Sequence, residues 1–197
     1  MSIFARKSKR AYLDYAAAAP IRPEVREVFL RALDIFANPG TIHADGIEAK
    51  NLLESSRNRV ADTLSVRGKE VIFTSGATES NNIAVFGSVL AWIEANPGKK
   101  PHIIASRIEH PSVLEICKHL EQKDIAELTY LDVLSEGTID VKKIREALRP
   151  ETVIVSIIYA SNEIGVIQPV REISKEKKKN KKHVLGNHEF KYPLLHT

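Results

Sequence analysis

Short β-rich apolar runs alternate along this chain with segments of helical periodicity, and no other feature restricts the fold as much. The runs are Val71–Thr74, His102–Ala105, Leu128–Leu131 and Val153–Tyr159. Their near-continuous apolar character predicts strands buried on both faces, the pattern of a parallel sheet. Between them, Val113, Ile116, Cys117 and Leu120 fall at i, i+3, i+4 and i+7 behind Pro111, one face of a proline-opened helix. Asp140 predicts an N-cap for a helix carrying Val141, Ile144 and Leu148, with Pro150 as its stop. Pro23 opens an earlier helix whose stripe is Val25, Val28, Phe29, Ala32 and Phe36. Strands alternating with helices predict an α/β layered domain with a mostly parallel sheet.

Composition narrows the function classes. Among 197 residues, 43% are hydrophobic and 27% charged, which excludes disorder as a whole-chain answer. The longest apolar stretch, Val153–Ala160, contains Ser156 and falls far short of the ~20 residues of a membrane span. The single cysteine, Cys117, excludes an internal disulfide and a cysteine zinc cluster, and predicts a reducing, cytoplasmic setting. The formal charge of +4 sits at the end of the chain. From Ser174 onward there are seven lysines and two glutamates, which leaves 22 basic and 23 acidic residues in the first 173. No aromatic or arginine residue interleaves the run Lys175–Lys182, so a solvated helix end is expected there rather than a nucleic-acid contact.

Nucleotide motifs are absent. No two of the nine glycines are separated by one residue, so there is no G-x-G-x-x-G loop. Gly68-Lys69 and Gly98-Lys99 are not followed by Ser or Thr, so there is no Walker A loop. What remains is Thr74-Ser75-Gly76-Ala77-Thr78-Glu79-Ser80-Asn81-Asn82, which follows an apolar run and opens a helix through Ile83, Val85, Phe86 and Val89. Small residues at a helix N-terminus expose backbone N–H groups in a positive potential, and Thr78 adds a hydroxyl: a phosphate cradle. An ordinary Ser/Thr-capped helix start has the same local sequence. His110 follows the second run, where open α/β sheets place ligand groups. It can lie against a flat ligand and move protons, or simply cap a helix. Asn162 follows the last run, and can either bond a ring substituent or shape the turn before Gly165.

In combination these residues resemble a known family. Tyr12-Leu13-Asp14-Tyr15-Ala16-Ala17, Asn38-Pro39-Gly40-Thr41-Ile42-His43, the Thr74–Asn82 loop, Glu109-His110-Pro111 and Asn162-Glu163-Ile164-Gly165 look like cysteine desulfurase. These are pyridoxal 5'-phosphate (PLP) enzymes of the class V aminotransferase group, with fold-type I architecture. The likeness runs from about Tyr12 to about Ile173, and five motifs in the family's order make it specific. It implies that Ala77 and Thr78 hold the cofactor phosphate, that His110 stacks on the pyridine ring and joins proton transfers, and that Asn162 bonds the phenolic oxygen or lies close beside it. It implies an N-terminal segment over residues 1–20 and, over 21–197, a partial PLP-binding large domain of α/β/α type, incomplete at its C-terminus.

The activity so implied removes sulfur from L-cysteine, leaving alanine and a protein-bound persulfide for iron–sulfur clusters or thiolated tRNA. A homodimer and a sulfur-acceptor protein come with it, and no direct nucleic-acid or membrane partner. Selenocysteine lyases share this front half. A non-catalytic fragment acting only as an interaction partner is the alternative from another class. Ala18 and Ala19 stand where the family often has two threonines. The aspartate at the pyridine nitrogen, the cofactor lysine and the sulfur-accepting cysteine have no matching motif in the 197 residues, so inactivity of this chain alone is expected. Cys117 lies on an apolar helix stripe and is expected to pack. Tyr192–Thr197 resembles the opening of the strand that leads to the missing aspartate, an expectation of truncation.

Overall fold

Residues 11–179 are described by the computed structural model, and they divide between Phe73 and Thr74 into two units. In the first unit, Pro23 occupies the opening turn of α1 (Pro23–Leu33), where its missing N–H costs nothing. Glu24 in the first turn and Arg31 in the last complement the helix dipole. The stripe that predicts this helix is present, yet α1 buries none of its residues. Asp34 caps the helix, so Phe36 lies beyond it and is 98% exposed, which corrects the predicted extent.

Helix α2 (Ala44–Leu64) starts at His43, whose Nδ1 accepts from the Gly46 N–H at 3.3 Å. A Cβ on Gly46 would lie 2.0 Å from Thr41 Oγ1 and 2.8 Å from the Thr41 carbonyl. Glycine there lets the Asn38–His43 turn fold down onto the helix. Further along, Arg57 Nη1 donates to the Val71 carbonyl at 2.5 Å, and its guanidinium lies 5.0 Å over the Phe73 ring. The strand predicted at Val71–Thr74 is therefore corrected. Val71 is extended, but the run joins no ladder among the described residues and is held by a side chain instead.

The second unit realises the alternation. Strands β1 (His102–Ser106), β2 (Glu127–Leu131) and β3 (Thr152–Ser156) form a parallel sheet in the order β2-β1-β3. The last strand stops at Ser156 rather than at the predicted Tyr159. The Ile158 N–H leaves the ladder and donates to the Glu109 carboxylate at 2.6 Å. Among its described residues this unit holds the helices α3 (Ala77–Ala95), α4 (Pro111–Gln122), α5 (Val141–Ala147) and α6 (Val170–Lys179).

The two-residue period of β1 sorts the core. Ile103 and Ala105 pack with Val85 and Val89 of α3 and with Val113, Ile116, Cys117 and Leu120 of α4. Ile104 packs on the other side with Leu131, Ile139, Ile144 of α5 and Ile173 of α6. Helices thus cover both faces, an α/β/α layering in which each large aliphatic side chain contributes about 1.5–3 kcal/mol on burial. The predicted cap at Asp140 is present, its Oδ1 accepting from the Lys142 N–H at 2.8 Å. Helix α6 carries the start of the lysine run, while the residues read at 180–182 and at 192–197 lie outside the described ones. Among the described residues, no helix is long and apolar enough to cross a membrane.

Cys117 is fully buried at 0% exposure. Burial, with Glu109 and then Glu121 adding, pushes its thiol up to about 12. Alkylating reagents at pH 8 are expected to leave Cys117 untouched in the folded chain and to label it in denaturant. Stoichiometric labelling without denaturant would contradict its place in the α4 core.

Candidate functional site

Helix α3 begins after Gly76 with no side-chain cap. Its first intrahelical bond runs from the Ser80 N–H to the Gly76 carbonyl at 3.1 Å, so the amides of Ala77, Thr78 and Glu79 have no acceptor within the helix. The loop before it is braced by its own side chains. Glu79 turns back to accept from the Ser75 hydroxyl at 2.7 Å and the Ser75 N–H at 2.6 Å. Those two donors, the hydroxyl first, hold its carboxyl below the usual range. Thr74 Oγ1 lies 2.7 Å from Ser80 Oγ. Ala77 and Thr78 remain exposed at the positive end of the helix. This is a set of donors suited to an anion.

His110 caps α4. Its Nδ1 accepts from the Ser112 N–H at 3.1 Å and lies 2.7 Å from Ser112 Oγ. Asn81 of α3 donates from Nδ2 to the same Ser112 Oγ at 2.7 Å. The starts of α3 and α4 are thereby joined, and Thr78, Asn82, Ser112 and His119 line one groove between them. Thr78 therefore shares a groove with Ser112, the residue to which His110 is bonded.

Glu109, quoted within a motif but given no role by the sequence, anchors this end of the sheet. It is only 5% exposed. Its carboxylate accepts from Ser106 Oγ at the end of β1, from Ser156 Oγ at the end of β3 at 2.8 Å, and from the Ile158 N–H at 2.6 Å. The backbone immediately before His110 is fixed to both strands.

Asn162 sits exposed in the turn after β3. There Gly165 adopts φ +69° and donates its N–H to the Ser161 carbonyl at 2.8 Å. The Asn162 side chain makes no hydrogen bond among the described residues, so nothing ties it to Thr78 or His110. Both His110 and Asn162 follow the carboxyl ends of parallel strands, where ligands of open α/β sheets bind.

The Aminotransferase class-V family matches residues 11–186. This chain belongs to that family. Over 168 residues it is 44% identical to the cysteine desulfurase IscS of Dictyoglomus turgidum, which covers 85% of this chain and 41% of that protein. Among solved structures, SspA in complex with cysteine superposes with a TM-score of 0.79 at 36% identity, over 86% of this chain and 48% of that one. DndA from Streptomyces lividans gives 0.71 at 41% identity, over 84% and 46%. This class-V chain spans about two fifths of the length of the curated relatives it matches. Its α/β/α unit with a parallel sheet is the fold of those structures.

Proposed function

We propose that this chain forms the part of a PLP-dependent cysteine desulfurase that grips the cofactor's phosphate and one face of its ring. The observation that carries the reading is the hydrogen-bonded junction of two starts of helices, with the uncapped α3 terminus and His110 linked through Asn81 and Ser112. The donor chemistry fits the cofactor. A phosphate dianion suits the Ala77 and Thr78 amides and the Thr78 hydroxyl, and an exposed imidazole suits a flat ring. Asn162 would reach the phenolic oxygen. When bound, PLP supplies the sink for electrons released at the substrate's α-carbon. The chain's own residues bind and orient: Thr78 by a charge-assisted bond, His110 by its plane, and Glu109 by holding the strand ends beneath them.

L-cysteine as substrate is supported by the relatives' activity and by the cysteine complex of SspA. Alanine and a protein-bound persulfide as products, a sulfur-acceptor protein, a homodimer and a cytoplasmic setting belong to the same reading. The 197 residues hold no match for the cofactor lysine or the persulfide cysteine, so the chain alone is expected to release no sulfide from cysteine.

Binding is tested by titrating the chain with PLP and following absorbance. Thr78→Val is expected to remove about 1.5–3 kcal/mol, roughly ten- to hundredfold in affinity. Pyridoxal without the phosphate should bind equally poorly to both proteins. If Thr78→Val holds PLP as tightly as the unaltered chain, the phosphate assignment is wrong.

A further inference from the structure

We propose that Ser112 and Asn81 are positioning residues that fix the tautomer of His110, so that the neutral ring carries its proton on Nε2. The inference starts from the sequence His110-Pro111-Ser112. Pro111 occupies the first position of α4 and has no N–H, so the first amide that can meet the capping ring is that of Ser112. A backbone N–H can only donate. At 3.1 Å from Nδ1 it therefore makes Nδ1 an acceptor, and a neutral imidazole with a bare Nδ1 has its proton on Nε2.

The Ser112 N–H sets the direction of the remaining bonds. Ser112 Oγ lies 2.7 Å from the same Nδ1, and two acceptors cannot bond, so the hydroxyl hydrogen points at the ring. The hydroxyl's lone pairs are then left to receive a donor, and Asn81 presents one, its Nδ2 at 2.7 Å. Asn81 is 1% exposed and cannot exchange this partner for water. The polarity runs from Asn81 through Ser112 to Nδ1, and the backbone amide of Ser112 fixes it at the His110 end. An Nδ1–H tautomer would set a ring N–H against a backbone N–H.

The consequence is chemical. With Nδ1 committed to the start of α4, Nε2 is the ring nitrogen that carries the proton of the neutral ring. Any use of that proton rests on the proposed role of His110 beside the cofactor; the tautomer itself does not.

The test is nitrogen NMR on the chain labelled at histidine, without cofactor. Among the seven histidines, His110 is assigned by loss of its signals in His110→Gln. The expected spectrum above pH 8 shows a protonated Nε2 and a bare Nδ1, and a protonated Nδ1 would overturn the proposal outright. Ser112→Ala should move the Nδ1 resonance toward that of an unbonded nitrogen, while Ser112→Thr keeps it in place. Equal spectra for the alanine and threonine variants would remove the hydroxyl from the account. Asn81→Asp supplies an acceptor where a donor stood, which turns the Ser112 hydroxyl away from the ring and should raise the Nδ1–H population. If that variant does not fold, the side-chain amide protons of Asn81 decide: slow exchange in the unaltered chain that becomes fast in Ser112→Ala supports the link, and equal rates dismiss it. A chain with the Nε2–H ring that fails to bind PLP would sink the proposed function and leave this inference standing.

Discussion

Replacing Glu109 by alanine is expected to weaken the second unit by about 3 kcal/mol or more, enough to be a large part of a small domain's stability. The carboxylate takes three donors at once: two serine hydroxyls from two strand ends and the Ile158 amide. On its removal the hydroxyls of Ser106 and Ser156 can rotate toward other acceptors, but the Ile158 N–H is fixed by the backbone and stays buried without a partner. Glu109→Gln separates this from loss of volume. One oxygen still accepts from Ile158, and the amide nitrogen can donate to a serine, so less than half the loss is expected. Urea unfolding followed by circular dichroism reads both variants. An unaltered midpoint for Glu109→Ala would show that the three bonds are not coupled to the stability of the sheet. Because Glu109 directly precedes His110, the alanine variant should also loosen PLP binding where the glutamine variant does not.

The elements that the sequence made legible are those whose evidence is local. The stripe Val113, Ile116, Cys117 and Leu120 is buried as a face because a helix places those positions together wherever it packs. The Asp140 cap and the opening prolines of α1 and α4 are likewise settled within one turn. The Val71–Thr74 run fails as a strand for the opposite reason. Sheet membership is a property of two segments, and this one meets the Arg57 side chain instead of a neighbouring strand. The uncapped start of α3 and the His110 cap could be picked out because small residues at the start of a helix and a His-Pro-Ser cap are contiguous motifs. Glu109 could not. Its meaning depends on Ser156, 47 positions away, and becomes visible only when β1 and β3 are aligned in parallel. Asn81 is hidden in the same way, since its partner Ser112 belongs to another helix 31 positions on.

Acid is expected to weaken the fold through His102, which sits at the start of the central strand and is 1% exposed. Its Nδ1 lies 2.8 Å from Thr152 Oγ1 on β3 and its Nε2 2.9 Å from Thr129 Oγ1 on β2, so one neutral ring bridges all three strands. Burial first, and then the charge of Arg149, lower its pKa from an ordinary 6.5 to about 4, against smaller opposing effects of Glu127 and Glu151. The sign follows from proton counting. Between about 6.5 and about 4 the unfolded chain binds a proton at this residue that the folded chain refuses, so stability falls as the pH falls through that window. Above it the contribution is complete, and below about 4 no further loss comes from this group. The full drop is on the order of 3 kcal/mol for a group this buried. His102→Gln keeps a side chain that can bond both threonines and cannot titrate. The difference in urea midpoint between the two proteins, taken from pH 7.5 to pH 4, removes the contribution of the carboxylates that titrate in both. It should swing toward the glutamine variant as the pH falls. Parallel pH profiles for the two proteins would mean that His102 is hydrated or already protonated in the folded sheet, and the bridge across β2, β1 and β3 would have to be discarded.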